Sequence, residues 1–119
     1  MLKDFKELKV WQKSMDMVCE IYNITKLLPQ EERFGLCNQM HRAAVSVPSN
    51  IAEGQSRSST KEFIQFLSIA KASNAEVETQ ILICNRLMLI SEENTQKAMS
   101  LCIEVGKMLN SLISILSKD

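Results

Sequence analysis

The scarcity of glycine and proline is the feature that most narrows what this chain can fold into. Its 119 residues include three glycines and two prolines. An all-β or loop-rich fold needs more of both, because these residues supply the backbone angles of tight turns. Hydrophobic residues make up 45% of the chain and charged residues 24%, which is the balance of a globular rather than a disordered protein. Long helices are therefore expected, in one domain over residues 1–119.

The first predicted helix, residues 8–28, carries two apolar stripes that both keep the three- and four-residue steps of a helix face. The first stripe consists of Leu8, Trp11, Met15, Val18, Tyr22 and Thr25. The second consists of Val10, Met17, Ile21, Ile24 and Leu28. A helix packed on one side needs one stripe, so two stripes indicate burial on two sides. Pro29 is expected to end this helix, because the residue before a proline is pushed out of the α region.

The second predicted helix, residues 31–54, has an apolar face and a polar stripe that stay in phase across Pro48. The apolar face consists of Leu36, Met40, Ala44, Val47 and Ile51. The polar stripe consists of Gln39, Arg42, Ser46, Asn50 and Glu53. Because proline removes the hydrogen bond to the carbonyl of Ala44, one helix kinked at Pro48 is predicted, in preference to two separate helices. Gly54 is expected to take the left-handed conformation that often ends a helix.

Two further helices are predicted over residues 60–89 and 92–116. Ser59 and Glu62 fit a capping box at the start of the third helix. Ser91 is the expected N-cap of the fourth. Helices of this length joined by short links pack as antiparallel neighbours. The fold class predicted is therefore all-α, an antiparallel four-helix bundle with its second helix kinked.

The doubled stripes predict self-association. The fourth helix also has a second apolar row, formed by Met99, Ile103 and Ile113. Together the extra rows exceed what a bundle of this size can hide, and exposed apolar patches beyond roughly a few hundred Å² usually mark interfaces. The candidate interface residues are Val10, Met17, Ile21, Ile24, Met99, Ile103 and Ile113.

The sequence carries no recognisable catalytic apparatus. His41 is the only histidine, so neither a histidine zinc cluster nor the repeated Glu-x-x-His pairs of di-iron bundles can form. There is no glycine-rich phosphate loop and no GxSxG elbow. Cys37 and His41 could meet as a dyad, but no third group or oxyanion hole accompanies them. We expect no enzymatic activity, no metal, no cofactor and no small-molecule substrate.

The chain is expected to be cytoplasmic, without a membrane partner. Its first six residues alternate in charge and contain no apolar h-region of a secretory signal. No run of about 18 apolar residues is present to span a bilayer. The four cysteines form no CxxC pair, so they are expected to stay free and to pack as small hydrophobic residues.

A polar seam is predicted where the second and third helices meet. Its candidate residues are Arg42, Asn50, Glu53 and Glu76. In one reading the charged members are solvated or form structural ion pairs. In the other they are partly buried, and Arg42 then lies near Glu53, Glu76 or a neighbouring subunit, because an unpaired buried guanidinium is costly.

The segment from Gln39 to Gly54, with its run Ser-Val-Pro-Ser-Asn-Ile-Ala-Glu-Gly, resembles a known family. Its members are the four-helix-bundle proteins encoded in intervening sequences of bacterial 23S ribosomal RNA genes, together with the accessory variability protein of diversity-generating retroelements. Further matching positions are Leu8 to Lys13, Tyr22, Pro29, Glu32, Phe34, Gly35, Leu36, Glu62, Phe63, Phe66, Leu67, Ala70, Ser73, Glu76 and Thr79.

The resemblance implies a bundle that assembles into a homopentamer, a ring with a central opening. It implies no enzymatic activity and no cofactor. For the retroelement relative, it implies binding of nucleic acid and of a reverse transcriptase through basic surfaces.

Two classes of function stay open. One is a ring-forming accessory or scaffold protein that binds RNA, DNA or a nucleic-acid enzyme, and the other is a protein–protein interaction bundle with no nucleic-acid role. Fourteen Lys and Arg balance fourteen Asp and Glu, so the bulk basic excess of a polyanion binder is missing. A basic patch gathered on one face would favour the first class. Without a base-reading motif, contacts would be to phosphates. The candidate cations are Lys9, Lys13, Arg33, Arg57 and Lys61, with Lys3 and Lys6 beside them.

Overall fold

Four α-helices make up most of the computed structural model, which describes residues 4–118 and contains no strand in that range. The helices are α1 (Lys9–Thr25), α2 (Asn38–Gln55), α3 (Thr60–Arg86) and α4 (Glu92–Leu116). Each packs against the next in sequence, and α1 closes the bundle against α4. The predicted all-α, antiparallel four-helix bundle is confirmed. Lys3 lies outside the described residues.

The helix ends differ from the predicted ones at the links. α1 ends at Thr25, and Pro29 is followed by a 3-10 turn (Gln30–Glu32) and a π-helical turn (Arg33–Cys37). The predicted helix 31–54 is therefore α-helical only from Asn38. α3 ends at Arg86, because Met88 leaves the helical region for a positive φ of 58°.

The prediction for the inner face of α1 is wrong. Val10, Met17, Ile21 and Ile24 were assigned to a subunit interface, but all four are buried in the core of the single chain. The middle of the other stripe is exposed instead: Met15 and Tyr22 are exposed, Trp11 and Val18 are partly exposed, and only its ends, Leu8 and Thr25, are buried. The inner stripe also contains Ser14, which is buried because its hydroxyl donates to the Trp11 carbonyl at 2.7 Å. A serine whose hydroxyl is hydrogen-bonded within its own helix can lie in a core. The polar residue in this stripe is therefore compatible with its burial.

Pro48 lies inside α2, which continues through it as one helix. The bend expected there stays a prediction. The expectation for Gly54 is wrong, because the helix runs past it to Gln55 and no glycine has a positive φ. A Cβ added at Gly54 would lie 2.6 Å from Phe66 Cβ and 3.0 Å from Phe63 Cδ1. Glycine is thus needed at this position because α2 and α3 approach closely, not because the chain turns.

The starts of α3 and α4 are capped as predicted. The Ser59 hydroxyl accepts from the Glu62 amide at 3.1 Å, and the Ser91 hydroxyl accepts from the Asn94 amide at 3.1 Å. Farther along, the buried Asn74 amide of α3 donates to the Cys102 carbonyl of α4 at 2.8 Å. These contacts fix the two long helices against each other.

All four cysteines are free, and two of them lie in the core. Cys84 and Cys102 are buried, and burial raises the pKa of the Cys102 thiol to about 12, with a further contribution from Glu78. Cys19 is exposed on α1, so the expectation that it packs inside is wrong.

α4 is long and apolar enough to cross a membrane by length and composition alone. The search of the sequence for an uninterrupted apolar run did not identify it. In the bundle, however, α4 buries Ala98, Cys102, Val105 and Leu109 against the other helices.

Candidate functional site

The polar seam between α2 and α3 is built from hydroxyl and amide groups. The Ser46 and Ser73 hydroxyl oxygens lie 2.9 Å apart. The Asn50 amide donates to the Ser46 hydroxyl at 2.9 Å and to the Ser46 carbonyl at 2.8 Å. Asn50 therefore belongs to the seam as predicted, and the two serines are its other members.

The charged residues predicted for the seam do not pair with one another. Arg42 is exposed and forms no ion pair within residues 4–118. It lines a shallow groove together with Glu76. Glu53 instead pairs with Arg57, at 2.7 Å. The reading in which Arg42 is partly buried is therefore wrong for the single chain, because its side chain is exposed.

A row of apolar side chains that the fold covers only in part runs along α1 on the side facing α2. Trp11, Met15, Val18 and Tyr22 form it. The Trp11 ring packs edge-on against the Phe5 ring, with centroids 5.3 Å apart, and exposed Val45 of α2 lines the same groove as Tyr22. The Tyr22 ring stacks on the His41 ring of α2, which fixes the direction in which this stripe faces. We call Trp11, Met15, Val18 and Tyr22 the outer α1 stripe.

The α4 candidates for an interface divide into two groups. Ile103 is exposed and Met99 is partly exposed, and Met99 lines a groove with Leu82 and Asn85 of α3. Ile113 is partly buried against the core. Met99 and Ile103 thus face the α3 side of the bundle, away from the outer α1 stripe.

Although the net charge of the chain is zero, several lysines at the end of the bundle where α1 begins have no acidic partner. There Asp4, Glu53, Glu62 and Glu104 each form an ion pair with a lysine or arginine. Four exposed lysines of the same end have no carboxylate within ion-pair distance in the described chain: Lys9, Lys61, Lys107 and Lys118. Lys9 and Lys107 line one groove between α1 and α4. We call these four residues the lysine end.

The cations predicted from sequence separate accordingly. Lys9 and Lys61 lie at the lysine end and are unpaired. Lys13 pairs with Glu104 at 3.5 Å, and Arg57 pairs with Glu53 and lies 4.8 Å from the centre of the Phe66 ring. Arg33 lies at the opposite end of the bundle, where α2 begins, so it does not join the others.

Lys107 and Lys118 were missed from the sequence. They lie about 100 residues from Lys9 along the chain, and only antiparallel packing brings the end of α4 beside the start of α1. The predicted antiparallel order already places the end of the fourth helix beside the start of the first, and this could have shown that Lys107 and Lys118 lie near Lys9.

Cys37 and His41 do meet, with Sγ 3.8 Å from Nε2, but the same nitrogen lies 2.8 Å from the Thr25 hydroxyl. Nothing in residues 4–118 forms a group of three His, Cys, Asp or Glu placed to hold a metal ion. The geometry therefore directs attention to the surfaces of the bundle as the sites of function.

Comparison with known proteins places the chain in a family. Residues 6–111 match the family described as 23S rRNA-intervening sequence protein. The chain belongs to this family. It is also similar to a crystal structure of a protein of unknown function from the S23 ribosomal protein family of Bacteroides thetaiotaomicron. The two share 29% identity with a TM-score of 0.81, over 88% of this chain and 95% of that one. No curated protein matches the chain.

These comparisons confirm the 23S rRNA-intervening sequence family expected from the Gln39–Gly54 segment, and the link to the retroelement accessory variability protein stays a prediction. Neither the 23S rRNA-intervening sequence family nor its structurally similar member carries a catalytic designation.

Proposed function

We infer that this 23S rRNA-intervening sequence protein is a non-enzymatic accessory protein that forms a ring and binds the phosphates of RNA or DNA at its lysine end. The observation that carries the proposal is the pairing pattern at that end. The carboxylates of Asp4, Glu53, Glu62 and Glu104 are held in ion pairs and Glu7 also has an interaction, whereas Lys9, Lys61, Lys107 and Lys118 have no carboxylate partner in the described chain. Unpaired lysines are available to displace counterions from a phosphate backbone.

Repetition of the lysine end around a ring would raise the affinity for a nucleic acid. One subunit presents too few cations to hold a polyanion tightly, because each phosphate contact contributes little alone. In a closed ring the helices of all subunits point the same way, so every lysine end lies on the same face. The repeated sites then act together as one multivalent surface. A nucleic-acid enzyme bound to the same ring would be delivered to that nucleic acid.

Two apolar surfaces support assembly into a ring. Each subunit of a cyclic ring needs two different contact surfaces. The outer α1 stripe faces the α2 side of the bundle, whereas Met99 and Ile103 face the α3 side. Packing the first surface of one copy on the second surface of the next gives a head-to-tail contact. The resemblance to the ring-forming relatives sets the number of subunits proposed at five.

The assembly is tested by light scattering at micromolar concentration. The proposal expects a pentamer for the wild type and smaller species for Met15→Glu, which places a charge in the outer α1 stripe. Ile69→Glu is the matched control, because Ile69 is also exposed but lies outside both surfaces. A monomeric wild type, or equal disruption by both variants, would refute the ring.

Phosphate binding is tested by titrating the purified assembly with single-stranded RNA and duplex DNA at two salt concentrations. The logarithm of the association constant should fall by roughly 0.7–0.9 per neutralised phosphate for each tenfold rise in salt. The triple variant Lys9→Gln/Lys61→Gln/Lys107→Gln should bind weakly. Lys26→Gln/Arg33→Gln/Arg86→Gln, which removes three exposed cations at the opposite end, should bind like the wild type. No binding at low salt would favour the bundle with protein partners only.

A further inference from the structure

The end of the bundle opposite the lysine end exposes apolar side chains where α3 passes into α4. Met88 is 89% exposed and Leu87 is 61% exposed, and Ile83 beside them is also exposed. They adjoin an open cavity of about 620 Å³. It is lined by Thr79, Leu82, Ile83, Asn85, Arg86, Leu87 and Glu92. We call Ile83, Leu87 and Met88 the α3 tip.

Met88 occupies a backbone conformation that favours glycine. Its φ is 58°, and the turn around it is a Schellman motif: the Met88 amide donates to the Asn85 carbonyl at 3.0 Å and the Leu89 amide to the Cys84 carbonyl at 2.9 Å. The left-handed region costs a non-glycine residue roughly 1–2 kcal/mol. A long apolar side chain held there in full contact with solvent contributes nothing to the fold that would offset this cost. Strain of this kind marks functional positions.

The rim of the cavity is acidic. Glu92 and Glu93 are exposed at the start of α4, and Glu78 lies partly exposed one helical step back on α3; no cation pairs with any of them in the described part of the chain. Arg86 is the one cation that lines the cavity. The start of α4 thus places two carboxylates, of Glu92 and Glu93, beside a cavity that Arg86 also lines, and we call these two acids the acidic rim.

The backbone offers a partner little to bind. The Schellman bonds satisfy the Cys84 and Asn85 carbonyls, and the Asn85 side chain donates to the Ile90 carbonyl and the Thr95 hydroxyl, both at 3.1 Å. Strand addition needs a free backbone edge, so recognition here must use side chains, as when an amphipathic helix lies in a groove. We propose that the α3 tip and its acidic rim form a docking site for a basic amphipathic helix of a partner protein, with apolar residues on Met88 and Leu87 and lysines or arginines beside Glu92 and Glu93.

Other occupants fit the tip less well. Lys26 and Arg33 are exposed at the same end of the bundle, but Glu92 and Glu93 repel phosphates at the tip itself, so a nucleic acid or an anionic membrane surface is disfavoured there. A second copy could offer its lysine end, but that contact would repeat without closing and would grow into filaments. The proposal does not depend on the ring or on nucleic-acid binding, because the site lies at the opposite end of the bundle from the lysines.

The test uses two fluorescent 18-residue helical peptides that share a leucine face and differ in the flanking residues, lysine in one and glutamate in the other. Such a helix is about 27 Å long. Anisotropy titrations of the full chain should show binding of the lysine peptide and at least tenfold weaker binding of the glutamate peptide. Glu92→Gln/Glu93→Gln should weaken binding of the lysine peptide and reduce its salt dependence.

Met88→Gly and Leu87→Ala separate docking from folding. Each should lower the affinity for the lysine peptide by about tenfold, because each removes a side chain that the complex buries. Met88→Gly keeps the turn, so weakened binding by this variant cannot come from unfolding. Ile115→Ala is the matched control: Ile115 is 63% exposed, about as much as Leu87, but lies near the lysine end, and binding should be unchanged.

Equal binding of both peptides, or no loss of affinity in Met88→Gly and Leu87→Ala, would overturn the proposal. So would a wild-type assembly that falls apart in these two variants, since the tip would then be a contact between copies of this chain.

Discussion

The imidazole ring of His41 lies flat on the phenol ring of Tyr22, with centroids 3.7 Å apart and planes 8° from parallel. The stack joins α1 to α2 near the end of the bundle where α2 begins. Nε2 of His41 lies 2.8 Å from the Thr25 hydroxyl, which also donates to the Tyr22 carbonyl at 3.1 Å. Burial lowers the pKa of His41 below its ordinary value of 6.5. The neutral imidazole is therefore the form that the folded protein prefers.

The free energy of unfolding should fall as the pH is lowered through 6.5. Because the folded-state pKa of His41 is depressed, the unfolded chain binds more protons between that pKa and 6.5, so stability is highest above 6.5. The loss should level off once the pH is below the folded-state pKa. Urea unfolding between pH 8 and pH 5.5 measures it. In His41→Gln the free energy of unfolding should change less with pH around 6.5. An unchanged pH dependence would mean that other titratable groups cause it.

Gly54→Ala should destabilise the protein by about 1–3 kcal/mol, the usual cost of overpacking. Replacing a helical glycine by alanine gains about 1 kcal/mol, but the added Cβ would lie 2.6 Å from Phe66 Cβ, which cannot rotate away. The clash therefore outweighs the gain. Gly35→Ala is the control, since its Cβ would meet nothing closer than Glu32 Oε1 at 3.8 Å. Denaturant unfolding of both variants gives the comparison, and equal stabilities would contradict the close approach.

Met88→Gly should stabilise the fold by about 0.5–1 kcal/mol. Glycine removes the left-handed penalty at φ 58°, and no buried contact is lost because the side chain is exposed. Thermal unfolding measures the change. A lower melting temperature for this variant would mean that the methionine contributes packing to the α3–α4 turn.

Ser73→Ala should cost about 1 kcal/mol, because it removes a hydrogen bond from the partly buried Ser46–Ser73–Asn50 network. Arg42→Ala on the outer side of the same seam should change stability by less than about 0.5 kcal/mol, as exposed side chains without partners usually do. Both are measured by urea unfolding. A large loss in Arg42→Ala would show that the guanidinium has a partner in a neighbouring subunit.

The sequence by itself determined the number and type of the elements. Helical spacing of apolar residues, the caps at Ser59 and Ser91, and the lack of turn-forming residues are local properties, so four helices and their antiparallel order could be derived before any contact was known. The run from Ser46 to Gly54 likewise carried the family, because a motif is readable without a structure. The seam residue Asn50 was found in the same way, from its place on a polar stripe.

Only the tertiary structure decided which surface of each helix is used. α1 has two stripes of equal period, and period alone cannot choose between them. The choice depends on the satisfied hydroxyl of Ser14 and on how Met17 and Ile21 fit the facing helices. Gly54 serves a close approach that exists only when α2 meets α3. The lysine end depends on residues about 100 positions apart, and on which acids are already paired. Burial, ion pairing and close packing are relations between distant parts of the chain, so they follow from the assembled bundle and not from any one segment.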